Sequence, residues 1–141
     1  MDMNHWTTTD LPVDYDLPIS AIMMSHVWSA NIDDSLAVIE EILAKRKISS
    51  IPILDSKGKV HGVVSWRDLL RSRVSKTNLR TVQAWEICIF KPLVVRPETP
   101  IHEVARIMLE QKVTDAIVME DGVIRGVVST FDFVQRLLDR D

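Results

Sequence analysis

All four glycines of the chain occupy matching positions in two copies of one sequence unit. The two copies read Gly58-Lys-Val-His-Gly62-Val-Val-Ser65-Trp-Arg-Asp68 and Gly122-Val-Ile-Arg-Gly126-Val-Val-Ser129-Thr-Phe-Asp132, at a constant offset of 64 residues. Upstream of Lys57 the offset becomes 65, so the second copy lacks one residue near that position. A repeat of this length that occurs twice is typical of a duplicated small domain, because solenoid repeats are shorter and more numerous.

The composition limits the classes of function that the chain can perform. With 46% hydrophobic and 26% charged residues in 141, it is typical of a globular protein. A net charge of −3 gives no electrostatic support for nucleic-acid binding. The single cysteine, Cys88, cannot form an internal disulfide and suits a reducing compartment. Because no run approaches the ~20 apolar residues of a membrane span, we expect a cytoplasmic protein with no membrane partner.

The order of hydrophobic and turn segments predicts the same α/β (α+β) unit twice. Each copy reads as strand, helix, strand, strand, helix, with both helices on one face of the sheet. We expect an N-terminal arm over residues 1–16, a first domain over 17–73, a linker over 74–81 and a second domain over 82–139. The pair Asp121-Gly122 predicts a tight hairpin turn between the last two strands.

Capping residues and apolar spacing predict the helix limits. Asp34 and Thr99 are expected at the N-caps, with Pro100 at the first helical position, and the helices should end near Lys47 and Lys112. The expected core-facing residues are Leu36, Ile39, Ile42 and Leu43 in the first helix, Ile101, Val104, Met108 and Leu109 in its copy, and Val134, Leu137 and Leu138 in the last helix.

The repeated motifs resemble those of a known family. The run from Gly62 to Leu69, with its copy, looks like the closing motif of cystathionine-β-synthase (CBS) domains, and the segments 48–55 and 87–101 are similar to the strand before it and to the family's opening. The resemblance covers residues 17–138. It implies a Bateman module, in which two CBS-type β-α-β-β-α units pack through their sheets about a pseudo-twofold axis. In such modules the clefts between the two copies commonly take adenosine nucleotides, and the modules commonly pair into homodimers.

The Ser-x-x-Asp motifs, Ser65 to Asp68 and Ser129 to Asp132, allow two interpretations. Each stands where a strand turns into a helix, and Ser-x-x-Asp there is close to a capping box that needs no ligand. The same geometry could hold a nucleotide, since a helix N-terminus attracts phosphate and a carboxylate can accept from both ribose hydroxyls. In the resembled family the Asp typically holds ribose and the Ser or Thr contacts phosphate. Both interpretations stay open at this point.

The resemblance implies further nucleotide-binding positions in each half. Those of the first half are Val27, Ser49, Ile51 and Pro52, together with Met24 and with Arg67 as a cation for phosphate. Those of the second half are Lys91, Pro92, Thr114, Ala116 and Thr130. Ordinary core packing is the alternative for every apolar member, and a solvated charge is the alternative for the paired positions His61 and Arg125.

The two predicted clefts differ in charge. Arg67 precedes Asp68, whereas Phe131 precedes Asp132. Asp115 takes the place of Ser50, and Ile117 replaces the strand proline Pro52. We therefore expect the cleft closed by Asp68 to bind nucleotide more tightly than the cleft closed by Asp132.

No residue constellation indicates catalysis or a metal. The four histidines lack metal-ligand spacing, and no Gly-x-Ser-x-Gly, Walker or dinucleotide-binding pattern occurs. We expect a stand-alone regulatory module, not an enzyme, that requires no cofactor and binds AMP, ADP, ATP or S-adenosylmethionine. The alternative is a ligand-free protein–protein interaction or dimerisation module. Expected partners are a second copy, contacted near Trp66, Leu69 and Leu70, and a regulated protein.

Overall fold

Two sequential β-α-β-β-α units make up the computed structural model, which describes residues 16–88 and 92–140. The elements of the first unit are β1 (Ala30–Asn31), α1 (Leu36–Arg46), β2 (Ser50–Leu54), β3 (Val60–Ser65) and α2 (Trp66–Val74). Those of the second are β4 (Val94–Val95), α3 (Ile101–Gln111), β5 (Asp115–Glu120), β6 (Val123–Ser129) and α4 (Thr130–Arg140). The α+β class and the repeated element order predicted from the sequence are confirmed.

The two three-stranded sheets share one topology. Their strand orders are β1-β2-β3 and β4-β5-β6, with a parallel first pair and an antiparallel second pair. The β5–β6 hairpin turns through Asp121 (φ 53°) and Gly122 (φ 76°), which confirms the predicted tight turn. In the first unit the longer turn is organised by the Asp55 carboxylate, which accepts from the backbone N–H groups of Lys57 and Lys59, both at 2.9 Å. This longer turn is where the second copy lacks a residue.

The segment before each repeat's first strand packs with the other repeat. One compact unit is Trp28–Pro92, and the other combines Met1–Val27 with Leu93–Asp141. In the second, the Ile19 N–H donates to the Thr99 carbonyl at 2.7 Å. In the first, Leu79, which lies in the expected linker, is buried in the core. The compact units therefore divide the chain at different residues from the sequence repeats, whose limits stay a prediction; residues 1–15 of the expected arm lie outside the described residues.

The core of the first unit lies between its sheet and its two helices. Leu36, Ile39 and Leu43 of α1 are fully buried against Ile51 and Ile53, which alternate along β2 and so point to the same face. Leu69 of α2 and Val64 of β3 complete this cluster. Both helices therefore cover one face, and the predicted α1 stripe is confirmed, with Ile42 partly buried at its edge.

Two predicted core positions of the second unit are wrong. Ile101, Val104 and Met108 of α3 are buried, but Leu109 is 52% exposed because one residue of rotation carries it to the edge of the stripe. In α4, Phe133 is buried and Val134 is 50% exposed. Phe133 takes the place that Leu69 has in α2, so the buried stripe of α4 runs one position earlier than predicted. The side chains of Leu137 and Leu138 lie outside the described residues.

The predicted N-caps are each displaced by one residue. Ser35 caps α1 by accepting from the Val38 N–H at 3.3 Å, while the Asp34 carboxylate instead accepts from the Asn31 N–H at 2.8 Å. Pro100, not Thr99, occupies the N-cap of α3, where its backbone is extended (ψ 143°). The predicted ends are confirmed, since Lys47 and Lys112 are left-handed C-caps, both with φ 56°.

An ion pair joins α1 to α2 and makes stability depend on pH. Arg73 Nε and Nη2 donate to the two carboxylate oxygens of Glu40, and this hydrogen bond lowers the pKa of Glu40 below its usual 4.5. A depressed carboxyl pKa contributes stability that is present above the unfolded pKa and is lost as pH falls through the folded one. We therefore expect Glu40→Gln to lower the urea midpoint at pH 7, and the difference from wild type to close as the pH falls below 4. An equal difference at pH 7 and pH 3 would contradict this origin.

Candidate functional site

The first strand–helix junction brings the start of β2 beside the end of β3 and the start of α2. Ser50 pairs with Ser65 in the β2–β3 register. The Trp66 N–H, at the first position of α2, donates to the Ser49 carbonyl at 3.0 Å. Ser49, Ser50 and Ser65 therefore meet at the helix N-terminus. We call the residues Ser49, Ser50, Ser65, Arg67 and Asp68 the first junction.

Asp68 and Ser65 cap each other at this junction. Asp68 Oδ2 accepts from the Ser65 N–H at 2.8 Å and from its hydroxyl at 3.0 Å, and the Asp68 N–H faces Ser65 Oγ at 3.4 Å. This is the reciprocal capping box, so the structural interpretation of the motif holds. The cap uses Oδ2, while Oδ1 lies 3.8 Å from Arg71 Nη1.

The second strand–helix junction repeats the first. The Thr130 N–H donates to the Thr114 carbonyl at 3.0 Å, and Asp115 pairs with Ser129 in the β5–β6 register. Asp132 Oδ2 accepts from the Ser129 N–H at 2.7 Å and from its hydroxyl at 3.2 Å. We call the residues Thr114, Asp115, Ser129, Thr130 and Asp132 the second junction. Two copies of one local geometry are therefore conserved within the chain despite the different side chains around them.

Each junction combines a helix N-terminus with a fixed carboxylate. The terminus presents backbone N–H groups and the positive end of the helix dipole, which favour an anion. Because Oδ2 is held by the cap, the carboxylate is fixed in orientation before any ligand arrives. The serine hydroxyl is occupied by its carboxylate in both junctions. The first N–H group of each helix, that of Trp66 or Thr130, already donates to a backbone carbonyl. A phosphate at a junction would therefore meet the positive end of the helix dipole, and would reach the serine hydroxyl only after that hydroxyl turns away from the aspartate.

The apolar positions proposed for adenine are core residues. Ile51 is fully buried in the first core, Ala116 is 1% exposed in the second, and Pro52 is buried as well. Their side chains fill the interior of the two units, as ordinary core packing, the alternative interpretation, would have them. Ser49 and Thr114 are exposed, and the Thr114 hydroxyl donates to Asp115 Oδ2 at 2.9 Å.

The remaining predicted site residues are divided between the compact units. Met24 and Val127 exchange backbone hydrogen bonds of 2.9 and 3.1 Å, so Met24 lies in the unit of the second repeat, and its place at a nucleotide site stays a prediction. Val27 belongs to that unit as well, whereas Pro92 belongs to the first unit. Lys91 lies outside the described residues.

Gly126 explains how the segment before β1, which contains Met23 and Met24 and is called the leading segment below, lies on β6. A Cβ atom built on Gly126 would be 2.6 Å from Met23 Sδ and 3.0 Å from the Met24 carbonyl oxygen. Only a residue without a side chain allows this close approach of two backbones. Gly126 is thus the sequence signal that the motif comparison missed, since it was read as a repeat marker and not as a contact site.

The charged groups around the junctions have distinct partners. Arg67 is exposed at the start of α2. His61 Nε2 lies 2.8 Å from Asp55 Oδ2, and this hydrogen bond lowers the pKa of Asp55. Arg125 Nε lies 3.6 Å from Glu120 Oε1. His61 and Arg125 therefore contact carboxylates of their own hairpins, and Arg67 stays the predicted cation of the first junction.

The described part of the chain holds neither a cluster of metal ligands nor a helix that could span a membrane. Among residues 16–88 and 92–140, no three His, Cys, Asp or Glu side chains come together as a metal site would require. The helices of the same residues are all too short or too polar to cross a bilayer.

Comparison with known proteins matches both repeats. The family model described as CBS domain matches residues 19–75 and 84–139. The CBS domain-containing protein CBSX2, chloroplastic, of Arabidopsis thaliana is 30% identical in an alignment 139 positions long that covers 78% of this chain. The chain spans 56% of the length of that relative.

Solved structures share the fold. An uncharacterized conserved protein from Pyrococcus horikoshii superposes with a TM-score of 0.81 at 20% identity, over 89% of this chain and 95% of that one. The CBS domain pair of protein MJ0100, in complex with 5′-methylthioadenosine and S-adenosyl-L-methionine, superposes with a TM-score of 0.80 at 20% identity, over 88% of this chain and 98% of that one.

Proposed function

Since the chain belongs to the CBS domain family, we propose that it is a regulatory module whose two Ser-x-x-Asp junctions bind adenosine-containing ligands. Binding changes how the module associates with a second copy or with a regulated protein. The proposal assigns the protein no reaction of its own. Its ligands are AMP, ADP, ATP or S-adenosylmethionine, which have adenine and ribose in common.

The duplicated, pre-oriented carboxylate carries this proposal. In both junctions Oδ2 of the aspartate is held by the serine cap, at 2.8 and 2.7 Å from the serine N–H, and Oδ1 is left outside the cap. Vicinal ribose hydroxyls are two adjacent donors, and a fixed carboxylate accepts them without losing rotamer freedom on binding. The related pair of MJ0100 supports a ribose-bearing ligand, since both molecules in that complex are adenosine derivatives.

The two junctions are proposed to differ in affinity. The first offers Arg67, whose planar guanidinium suits phosphate oxygens, and places the neutral Ser50 beside the cap. The second offers Phe131 in place of Arg67 and the carboxylate of Asp115 in place of Ser50. A phosphate is therefore attracted at the first junction and repelled at the second, so nucleotides bind more tightly where Asp68 is.

A ligand-free interaction module is the competing function. It is favoured by the capping geometry, which satisfies Ser65 and Asp68 without any ligand, and by the complete burial of Ile51. Under this alternative Ser65 and Ser129 only begin helices. The two functions differ in whether an adenosine compound stabilises the fold.

A thermal-shift screen separates the two functions. A ligand at 100 times its dissociation constant should stabilise the folded protein by about 2.7 kcal/mol. For a chain of this size we expect the melting temperature to rise by several degrees with AMP, ADP, ATP or S-adenosylmethionine. GMP is the matched control, since it carries the same ribose phosphate on a different base. A melting temperature that stays the same as without ligand, for every adenosine compound at millimolar concentration, would favour the ligand-free module.

We also propose that the protein is a homodimer that associates through α2. Trp66 is 40% and Leu70 is 63% exposed, so both can contact a second copy. Leu69 cannot, because it is fully buried in the first core, and its predicted role at the dimer contact is wrong. Light scattering should give about twice the chain mass of 16.1 kDa. A monomer mass across a wide concentration range would rule the dimer out.

A further inference from the structure

Met23 occupies a gap that Gly126 leaves in the core of the second unit. Gly126 pairs with Val118 in the β5–β6 register, so a side chain at position 126 would face the same side of the sheet as Val118, which is fully buried in that core. Glycine has no side chain, and Met23 Sδ and Cγ lie 2.6 and 2.8 Å from the position that its Cβ would take. The thioether of Met23 therefore fills the place of the missing side chain and packs against this core.

An isolated bridge of backbone hydrogen bonds holds the leading segment to β6 beside this contact. The Met24 N–H donates to the Val127 carbonyl at 2.9 Å, and the Val127 N–H donates to the Met24 carbonyl at 3.1 Å. The Met24 side chain adds little packing, because it is 49% exposed. Two hydrogen bonds of one residue pair are a weak attachment, so the packing of Met23 over Gly126 supplies much of it.

The thioether of Met23 is also within reach of small oxidants. Met23 is half-buried, whereas Met108, in the same core, is 2% exposed and shielded from solvent. Met24 is accessible, but oxidation of its exposed side chain would leave its backbone pairing intact. Met23 therefore combines access to a small oxidant with a side chain on which packing depends.

We propose that Met23 is a site of reversible oxidation by peroxides, and that its sulfoxide releases the leading segment from β6. The Met23 sulfur attacks one oxygen of hydrogen peroxide, so that an S–O bond forms, the O–O bond breaks, and the second oxygen leaves as water with both protons. Sulfur loses two electrons and the peroxide gains them. Methionine sulfoxide reductases, with a thiol as the reductant, restore the thioether.

The sulfoxide does not suit the place that the thioether fills. It turns an apolar, flexible side chain into a polar one with an additional oxygen, at a position pressed against Gly126 and the core. A polar oxygen buried without a donor is unfavourable, and release of the leading segment brings this oxygen into water.

The release also reaches the edge of the second junction. Val127 lies two residues before Ser129 on β6, so the strand edge that leads to the junction loses its neighbour. Oxidation is therefore expected to weaken the looser of the two nucleotide-binding events, a consequence that rests on the proposed function.

Amide hydrogen exchange measured by NMR tests the release directly. After treatment with hydrogen peroxide, with oxidation of Met23 confirmed by mass spectrometry, the amides at positions 24 and 127 should exchange at least about tenfold faster. The Ile39 amide of α1, which donates to the Ser35 carbonyl, is the internal control and should keep its rate. Reduction of the sulfoxide should restore the original rates.

Two leucine variants are the matched pair. Leucine has nearly the volume of methionine and no sulfur to oxidise. In Met24→Leu peroxide should act as in wild type, whereas in Met23→Leu both amides should keep their rates. Met23→Gln should accelerate exchange at both positions without any oxidant, because it brings a polar group to the same place.

Three results would overturn the release. They are equal acceleration in Met23→Leu and wild type, a Met23 that stays reduced when Met24 is fully oxidised, and an Ile39 amide that accelerates as much as that of Val127, which would indicate global destabilisation. None of these readouts needs a ligand, so they stand apart from the proposed function. A looser binding event of unchanged affinity in the oxidised protein would overturn only the link to the second junction.

Discussion

Replacing Leu43 with alanine should lower the free energy of unfolding by about 2–5 kcal/mol, the range for a leucine deleted from a close-packed core. Leu43 of α1 is fully buried between the helix and β2, so truncation removes apolar contacts and leaves a cavity. This cost is a large part of the stability of a typical domain, which is about 5–15 kcal/mol.

Leu109→Ala is the matched control. It makes the same substitution one position beyond the equivalent site of α3, at a side chain that is 52% exposed. We expect a loss of no more than about 0.5 kcal/mol, as for surface substitutions in general. Urea unfolding of the two variants beside wild type measures both effects. Equal losses would show that the apolar stripe of α3 includes Leu109, as the sequence pattern predicted and the structure contradicts.

Asp68→Asn should weaken the tighter of the two nucleotide-binding events by about 10- to 100-fold, because a hydrogen bond to a charged group contributes roughly 1.5–3 kcal/mol. Asparagine keeps one oxygen that can accept from the Ser65 N–H, so the start of α2 is retained. It loses the charge and replaces the outer oxygen with a donor, which cannot accept from ribose hydroxyls. The substitution therefore separates a ligand role from a capping role, which Asp68→Ala would remove together.

Ser65→Ala and Asp132→Asn are the controls for this effect. Ser65→Ala removes the capping hydroxyl and should cost stability of about 1 kcal/mol while leaving the carboxylate in place. Asp132→Asn changes the second junction alone and should leave the tighter binding event unchanged. If Asp132→Asn abolishes that event and Asp68→Asn does not, the order of affinity between the junctions is reversed.

The repeated units could be read from the sequence because their signals are local. Asp121-Gly122 specifies a turn by its own backbone preferences, and the apolar spacing of α1 follows from the helical period. The helix starts were missed by one residue since Asp34 and Ser35 both can cap, and the sequence does not show that Asp34 bonds to the Asn31 N–H instead. Tertiary contacts decide between such neighbours.

The sequence could not predict which sheet the leading segment joins. Met24 pairs with Val127, and the two positions are brought together only by the folded chain. Each repeat begins with a segment whose local pattern is indifferent to which sheet it joins. Gly126 leaves the space that Met23 occupies where the leading segment lies on β6. The distance in sequence between Met23 and Gly126 follows no helix or strand period, so the pattern does not reveal this contact.

The candidate site was partly predictable from the sequence. The Ser-x-x-Asp motifs indicated two helix starts, and in both the aspartate carboxylate accepts from the serine N–H. Ser65 and Asp68 form the reciprocal capping box. The adenine-lining positions were less predictable, because a short apolar strand has the same composition whether it lines a cleft or fills a core. Ile51 and Ala116 fill cores.

Calorimetric titration of the wild-type protein with the adenosine compound that gives the largest thermal shift tests the central proposal most directly. We predict saturable binding with two events of different affinity, the tighter of which is weakened by about 10- to 100-fold in Asp68→Asn and kept in Asp132→Asn. Absence of binding heat with AMP, ADP, ATP and S-adenosylmethionine, in a sample whose melting temperature is also unchanged by them, would contradict it.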